Sequence, residues 1–353
     1  MSANRTVANL PWTPLPSAAP STQSVSKNAI SEKLLNVLSS MRRTTVFSGM
    51  FLWVFRTLQA AGINVLPNHY YWPVPDLRVL EEQVWPVRNA SFDLRLPAQV
   101  EFAEAVIPRY DEELRFPETA DRSPSDYRRN NGFFETVDAE VAYCMVREQK
   151  PRRIVEIGGG FSTRVMATAV RANARDGDAC ELVTVEPYPD NALRNGFDGL
   201  SRLVPARVQD APRELFEALT PGDILFIDSS HVVTVGSDVV YEFFEILPKL
   251  PKGVIVHMHD IFYPADYPRD AVLKFLWFWS EQYLLEALLT SNSSFEVLWS
   301  SSAMQLLCRN LVDRTFPAWR GSYMRMPMKE RRFIPTLDGK RVWPSSFWMR
   351  KCA

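Results

Sequence analysis

The chain has 353 residues, enough for one large domain or two of ordinary size. Its 40 basic and 41 acidic residues leave a formal net charge of −1, which gives no electrostatic reason to expect nucleic acid as the main partner. The four cysteines stand far apart and form no Cys-x-x-Cys pair, so neither a zinc knuckle nor a disulfide framework is predicted and a reducing cytoplasm is favoured.

The N-terminal part begins with 28 residues rich in Pro, Ser and Ala, without a basic segment followed by an apolar core. This composition predicts a disordered leader over residues 1–28 and not a signal peptide. The most apolar run follows at residues 46–55, bracketed by Arg42, Arg43 and Arg56. Because about 18 apolar residues are needed to cross a bilayer, we expect no stable membrane insertion. The run predicts a helix that buries one face, with a membrane-surface or oligomer-contact helix as the alternative.

Two regions flank a central domain. Residues 29–124 predict a mainly helical accessory region, with helices over 29–62 and 94–118 around an aromatic, proline-rich loop. Residues 311–353 are a C-terminal extension. We expect both regions to set binding specificity or oligomeric contacts. The domain between them, residues 125–310, alternates helices and strands from about residue 133 onward.

The central domain predicts an α/β fold. Its five strands are Arg153 to Ile157, Leu182 to Glu186, and three more that end at Asp210, at Asp228 and at Asp260. Strands that are apolar throughout and alternate with helices are typical of a parallel sheet covered on both faces, which binds ligands at the carboxyl ends of its strands. A helix over 269–290 then precedes two apolar runs, "FEVLW" and "AMQLLC", joined by a few serines. These runs predict a C-terminal antiparallel hairpin after the five parallel strands.

A glycine turn, "VEIGGGFST", follows the first strand, where bare backbone can touch a ligand. It departs from the dinucleotide-binding fingerprint because Thr163 stands in place of the third glycine. Glu156, two residues before Gly158, would repel a pyrophosphate but suits a ligand that carries an ammonium and a sulfonium. Glu186, at the end of the second strand, is placed to accept both hydroxyls of a ribose. The turn therefore favours S-adenosylmethionine (SAM) over NAD.

These features resemble the class I SAM-dependent methyltransferases. The segments "RRIVEIGGGFST", "GDILFIDSSH" and "GVIVHMHDIFYPADYP" are similar, more narrowly, to family 24 of the bacterial methyltransferases, over residues 125–310. The resemblance implies a Rossmann-like sheet, with the glycines and Ser162 near the methionine part of SAM and Glu186 near its ribose. It also implies that Asp210, together with Gln209, lies near the adenine. The expected cofactor-binding residues are Glu156, Gly158, Gly159, Gly160, Ser162, Thr163, Glu186, Gln209, Asp210, Asp228 and Ser229.

The expected catalytic residues are His231, His259 and Asp260, near the ends of strands four and five. Methyl transfer to a hydroxyl needs positioning and a base, and histidine titrates near neutrality beside an orienting carboxylate. A divalent metal held by Asp228, His259 and Asp260 is the alternative, because catechol-type O-methyltransferases hold an ion at these strand ends. The metal is not favoured, since no third histidine or C-terminal carboxylate cluster is evident to complete the site.

The sequence thus predicts a cytoplasmic, SAM-dependent methyltransferase that O-methylates a small or glycosylated metabolite. An enzyme that consumes SAM by alkyl transfer or cyclisation, with release of methylthioadenosine, is the alternative. A binding module without turnover is a third hypothesis, against which the acids and histidines at the strand ends argue. The expected partner is a small-molecule acceptor and not nucleic acid, and a homo-oligomer stays open.

Overall fold

The computed structural model of the chain describes residues 45–66, 72–83, 85, 87–118, 125–129, 131–320, 336–337, 340–341 and 344–353. The chain divides into two units, residues 1–73 and 74–353. The expected leader and the first part of the expected helix 29–62 lie outside the described residues.

In the first unit, helix α1 (Thr45–Ala60) contains the apolar run. The helix is followed by a turn at Gly62, whose φ is +79° and whose N–H donates to the carbonyl oxygen of Gln59. No side chain that the structure describes between residues 49 and 60 is buried, and Trp53 is 68% exposed, so the expected buried face is not seen there. Within the described residues, no helix combines the length and apolarity that a bilayer crossing requires.

The second unit contains helices that surround one large sheet. Two of them continue in other helical forms, since a π-helix (Phe102–Val106) and a 3-10 turn (Ile107–Tyr110) follow α3, and a second π-helix (Glu242–Ile246) follows α8. The helices are α2 (Leu77–Glu82), α3 (Leu96–Glu101), α4 (Asp138–Gln149), α5 (Phe161–Arg175), α6 (Asn191–Asn195), α7 (Glu214–Glu217), α8 (Asp238–Tyr241), α9 (Arg269–Leu273), α10 (Glu281–Thr290), α11 (Ser301–Leu307) and α12 (Arg309–Thr315).

The large sheet has seven strands in the order β3-β2-β1-β4-β5-β9-β6. The first five strands along the chain pair in parallel, as predicted, and β9 pairs antiparallel with both β5 and β6. A separate two-stranded sheet joins β7 and β8. The strands are β1 (Arg153–Ile157), β2 (Glu181–Val185), β3 (Arg202–Val204), β4 (Ile224–Ile227), β5 (Ile255–Met258), β6 (Phe295–Ser300), β7 (Thr336–Leu337), β8 (Lys340–Arg341) and β9 (Phe347–Lys351).

The sheet core explains why the parallel strands are apolar throughout. Every residue of β4 and β5 is buried, because helices and loops cover both faces of the sheet. His257 also lies in this core, with its ring stacked 3.7 Å from that of Phe226 and its Nε2 2.9 Å from the hydroxyl of Ser346. Because β1, β4 and β5 pair in parallel, their carboxyl ends lie side by side at one edge of the sheet.

The predicted C-terminal hairpin is wrong in its second strand. "FEVLW" lies in β6 as expected, but "AMQLLC" lies almost wholly in helix α11. The antiparallel partner of β6 is β9, whose Phe347, Trp348 and Met349 are buried beside β5. A strand from the end of the chain therefore fills the position between β5 and β6.

The predicted helix 269–290 is also wrong, because it is two helices, α9 and α10, with residues 274–280 between them. Leu276 in this connection has a φ of +59°, a left-handed conformation that interrupts a right-handed helix. Trp277 and Trp279 therefore lie outside helical structure, with their rings stacked 4.6 Å apart.

Candidate active site

The glycine turn joins β1 to α5, and its three glycines differ. Gly158 has a φ of +82°, and a Cβ there would lie 1.8 Å from the carbonyl oxygen of Asp228, so this position excludes a side chain. A Cβ at Gly159 would lie 2.4 Å from Cγ2 of Thr184. At Gly160, by contrast, no described atom lies within 4 Å of the Cβ position. The turn is therefore packed against protein at two glycines and open at the third.

Glu156 lies beneath the turn and is fully buried. Its carboxylate accepts hydrogen bonds from the hydroxyls of Ser162, Thr163 and Thr184, at 2.7, 2.6 and 2.7 Å. Burial raises the pKa of Glu156 to about 7, although these three hydrogen bonds lower it. The side chains of Glu156, Ser162 and Thr163 thus bind one another inside the protein, and their expected role at the cofactor stays a prediction.

Glu186 directly follows β2 and is half-buried at the edge of the turn. Its Oε2 accepts a hydrogen bond from the N–H of Gly159 at 3.0 Å, and its Oε1 accepts one from the N–H of Tyr188 at 2.6 Å. A carboxylate oxygen has two lone pairs, so each oxygen can still accept a ligand hydroxyl. The fixed carboxylate and the open position at Gly160 fit a ligand that carries a ribose, such as SAM.

The predicted third strand is shorter than expected. It ends at Val204, and residues Val208–Asp210 form a 3-10 turn. Asp210 is exposed and forms an ion pair with Arg207 at 2.7 Å, and Nε2 of Gln209 donates to the carbonyl oxygen of Gly236. The expected role of Gln209 and Asp210 at the adenine stays a prediction.

Four polar side chains converge just beyond β4 and β5. Asp228 follows β4, His231 lies in the next loop, and His259 and Asp260 follow β5. Nε2 of His231 lies 3.5 Å from Oδ1 of Asp228 and 3.5 Å from Oδ2 of Asp260. Nδ1 of His259 lies 3.4 Å from the same Asp228 oxygen and 3.8 Å from Oδ1 of Asp260. The three expected catalytic residues thus surround one small space together with Asp228, and we name these four residues the rim cluster.

The rim cluster has the donor atoms of a metal site. Asp228, His259 and Asp260 each offer one ligand atom, and these atoms lie within 4.8 Å of one another. His231 adds a second imidazole to that set. The cluster also carries backbone strain, because the φ angles of His231 and Asp260 are +63° and +55°. Such left-handed non-glycine residues are uncommon and concentrate at functional sites.

Charge and burial shift the pKa values of the rim cluster in opposite directions. Burial alone would lower the pKa of His231, but hydrogen bonds with Asp228 and Glu281 and the charge of Asp260 raise it well above its ordinary value. The pKa of His259 is likewise raised, because the charges of Asp228 and Asp260 outweigh burial. Burial would raise the pKa of Asp228, yet the two imidazoles lower it. The cluster therefore stabilises charge at a site that is mostly shielded from water.

Residues that the sequence did not indicate surround the rim cluster. Nδ1 of His231 lies 2.9 Å from Oε2 of Glu281, and Nε2 of His259 lies 3.7 Å from Oδ2 of Asp138. The hydroxyl of Ser345 donates to Oδ1 of Asp260 at 2.9 Å. Both acids are the first residue of a helix, where an acid ordinarily complements the helix dipole, so the sequence carries no signal for their second role.

The remaining expected residue, Ser229, lies next to Asp228 in the chain. Its hydroxyl donates to Oε2 of the buried Glu242 at 3.1 Å. The described geometry therefore directs this side chain toward α8 and its continuation, and its expected contact with the cofactor stays a prediction.

A glycine turn after β1, an acid after β2 and an antiparallel strand between β5 and β6 define a class I SAM-dependent methyltransferase. Residues 155–261 match the family model described as a methyltransferase domain, family 24. An uncharacterized protein of Archaeoglobus fulgidus is 34% identical over 164 residues, which are 43% of this chain and 72% of that protein. The chain belongs to the family 24 methyltransferases.

Two solved structures resemble the chain at low sequence identity. The apo structure of a TDP-rhamnose 3'-O-methyltransferase of calicheamicin biosynthesis is 16% identical, with a TM-score of 0.33, over 73% of this chain and 98% of that chain. A putative protein-L-isoaspartate O-methyltransferase from Plasmodium falciparum, in complex with S-adenosyl-L-homocysteine, is 12% identical, with a TM-score of 0.26, over 47% of this chain and 79% of that chain.

Proposed function

We propose that this SAM-dependent methyltransferase methylates a hydroxyl oxygen of a small acceptor that binds at the rim cluster. One observation carries the proposal: the cluster adjoins the glycine turn directly. Gly158 packs against the backbone of Asp228, whose side chain belongs to the cluster. A ligand that follows the open side of the turn at Gly160 therefore ends beside two imidazoles and two carboxylates.

The chemistry of methyl transfer suits these groups. Transfer from a sulfonium is an in-line displacement, which depends on how the acceptor oxygen is positioned. A hydroxyl must also lose its proton, and a carboxylate or a deprotonated imidazole within hydrogen-bond reach can accept one. His231 and His259 approach the shared space from two sides, so they can orient an acceptor oxygen between them.

The donor set also fits a divalent ion, and the proposal includes one. Asp228, His231, His259 and Asp260 would hold it through two nitrogens and two carboxylates, a mixture that suits a transition metal better than magnesium. A bound ion would fix the acceptor oxygen and lower the pKa of its hydroxyl. The sequence alone disfavoured a metal, and the convergence of His231 with the three strand-end residues is what now favours it.

The test is an incubation with SAM that carries a ¹³C-labelled methyl group and a panel of hydroxyl-bearing acceptors, among them sugars, glycosides and phenols. We expect S-adenosylhomocysteine together with a labelled methyl ether, identified by mass spectrometry and NMR. A labelled N-methyl or C-methyl product would refute O-methylation, and methylthioadenosine in place of S-adenosylhomocysteine would favour the alkyl-transfer alternative. The protein without an acceptor is the control for slow breakdown of SAM.

A further inference from the structure

His231 is held on three sides by the segment that begins α10. Its Nδ1 lies 2.9 Å from Oε2 of Glu281, and its ring centre lies 4.8 Å from that of Trp279. Its carbonyl oxygen accepts hydrogen bonds from the N–H groups of Ser280 and Glu281, at 2.8 and 3.1 Å. The start of α10 and the loop that carries His231 therefore form one hydrogen-bonded unit.

Glu281 is an unusual residue to place there. It is only 1% exposed, and its second oxygen, Oε1, is buried without a hydrogen-bond partner among the described residues. Burial of a carboxylate costs free energy unless the group is paired and hydrogen-bonded. The hydrogen bond to His231 is the compensation that the structure provides.

Glu281 contacts one ring nitrogen of His231, and this contact determines which hydrogen-bonding role is left to the other nitrogen. An ionised carboxylate only accepts hydrogen bonds, so Nδ1 of His231 carries the proton in this contact. Nε2 is then the ring nitrogen that is left to contact other groups. Nε2 is the atom that faces Asp228 and Asp260 at 3.5 Å. A carboxylate behind an imidazole is also the common arrangement around metal-binding histidines.

We propose that Glu281 is a positioning residue, which fixes the ring of His231 so that its Nε2 points into the space shared by Asp228, His259 and Asp260. This inference rests on the proposed function for the identity of the ligand in that space, whereas the orientation of the His231 ring can be tested without it. Asp138 holds a similar place behind His259, but at 3.7 Å and with both carboxylate oxygens accepting backbone N–H groups of Ser345 and Ser346. A substitution of Asp138 would also remove these backbone hydrogen bonds, so Glu281 offers the cleaner test.

The experiment compares the full chain with Glu281→Gln and Glu286→Gln. Glu286 lies on the same helix and contacts Ser91 and Arg88, so it controls for the loss of a negative charge from α10. Cobalt(II) is titrated into chelator-treated protein and followed by its visible absorption. We expect Glu281→Gln to bind cobalt about 10- to 100-fold more weakly, and Glu286→Gln to bind it like the wild type. The affinity for S-adenosylhomocysteine should be unchanged in both variants.

Crystal structures of the metal-free variants separate this inference from the metal proposal. We expect the His231 ring to leave its orientation toward Asp228 and Asp260 in Glu281→Gln and to keep it in Glu286→Gln. Should wild-type protein fail to bind cobalt, the metal proposal fails, and the ring orientations still decide the role of Glu281. An unmoved His231 ring in Glu281→Gln, or wild-type cobalt affinity in that variant, overturns the inference. If Glu281→Gln does not fold, Glu281→Asp withdraws the carboxylate by one methylene and should give the same loss.

Discussion

Gly158 and Asp228 are in backbone contact so close that a Cβ at residue 158 would lie 1.8 Å from the carbonyl oxygen of residue 228. This contact joins the end of β1 to the end of β4, and with them the glycine turn to the rim cluster. The two halves of the candidate active site therefore have a fixed separation. Changes in the turn can be sorted into those that break this contact and those that only obstruct the ligand.

The glycine turn gives the first prediction, through Gly158→Ala and Gly160→Val. Gly160 has a φ of 177°, which any residue adopts, and its Cβ position is open, so the valine variant should fold normally and fail to bind S-adenosylhomocysteine. Gly158→Ala should lower the free energy of unfolding by about 1–3 kcal/mol from backbone strain alone. Thermal unfolding and isothermal titration measure the two effects. Wild-type affinity in Gly160→Val would mean that the turn is only structural.

Glu186 gives the second prediction. Removal of its carboxylate in Glu186→Ala should weaken the binding of S-adenosylhomocysteine by about 10- to 100-fold, the cost of lost hydrogen bonds to a charged group. Glu181→Ala, at the opposite end of β2, is the matched control, because Glu181 is paired with Arg153 away from the turn. Isothermal titration against wild-type protein, which should bind in the micromolar range, gives the comparison. Binding of NADH but not of SAM would contradict the account.

Glu156 gives a prediction about stability and pH. Its pKa is about 7 in the folded protein and near 4.5 in the unfolded chain, so the folded state binds the extra proton. Its contribution is therefore fully present below about pH 4.5 and is lost as the pH rises through about 7. The total loss is about 3 kcal/mol.

The measurement is the free energy of unfolding of wild type and Glu156→Gln, from urea titrations between about pH 4 and pH 8. The glutamine carries no titrating proton, so the difference between the two proteins should move in favour of Glu156→Gln as the pH rises. Parallel pH profiles would show that Glu156 is not buried as a proton-binding group.

The sequence predicts much of this fold because the parallel strands are short apolar runs that can be recognised locally. The apolar runs that precede Gly158 and Asp228 became strands that end at Ile157 and Ile227. The error at "AMQLLC" has a physical cause, since a short apolar run fits a strand or a buried helix equally well. The true partner strand, Phe347–Lys351, is distant in the chain, and only tertiary packing brings it between β5 and β6.

The candidate site likewise has residues that the sequence could predict and residues that only tertiary packing brings there. Asp228, His259 and Asp260 follow strands, so topology alone brings them to one edge of the sheet. Glu281 and Asp138 begin helices, and their contacts with the imidazoles depend on how those helices pack. Trp279 was expected in a helix and lies instead against His231, because the predicted helix is interrupted between α9 and α10.

The central claim is that the rim cluster performs the chemistry while the glycine turn binds the cofactor. It is tested most directly by measuring turnover and S-adenosylhomocysteine affinity together, for wild type, His259→Ala and the exposed-carboxylate control Asp198→Asn, with and without a chelator. We expect His259→Ala to lose roughly 100- to 10,000-fold in turnover while it keeps its affinity for S-adenosylhomocysteine. The chelator should abolish wild-type turnover, and manganese, iron or zinc should restore it. Wild-type turnover in both His259→Ala and the chelated protein would contradict the claim and move the chemistry away from the rim cluster.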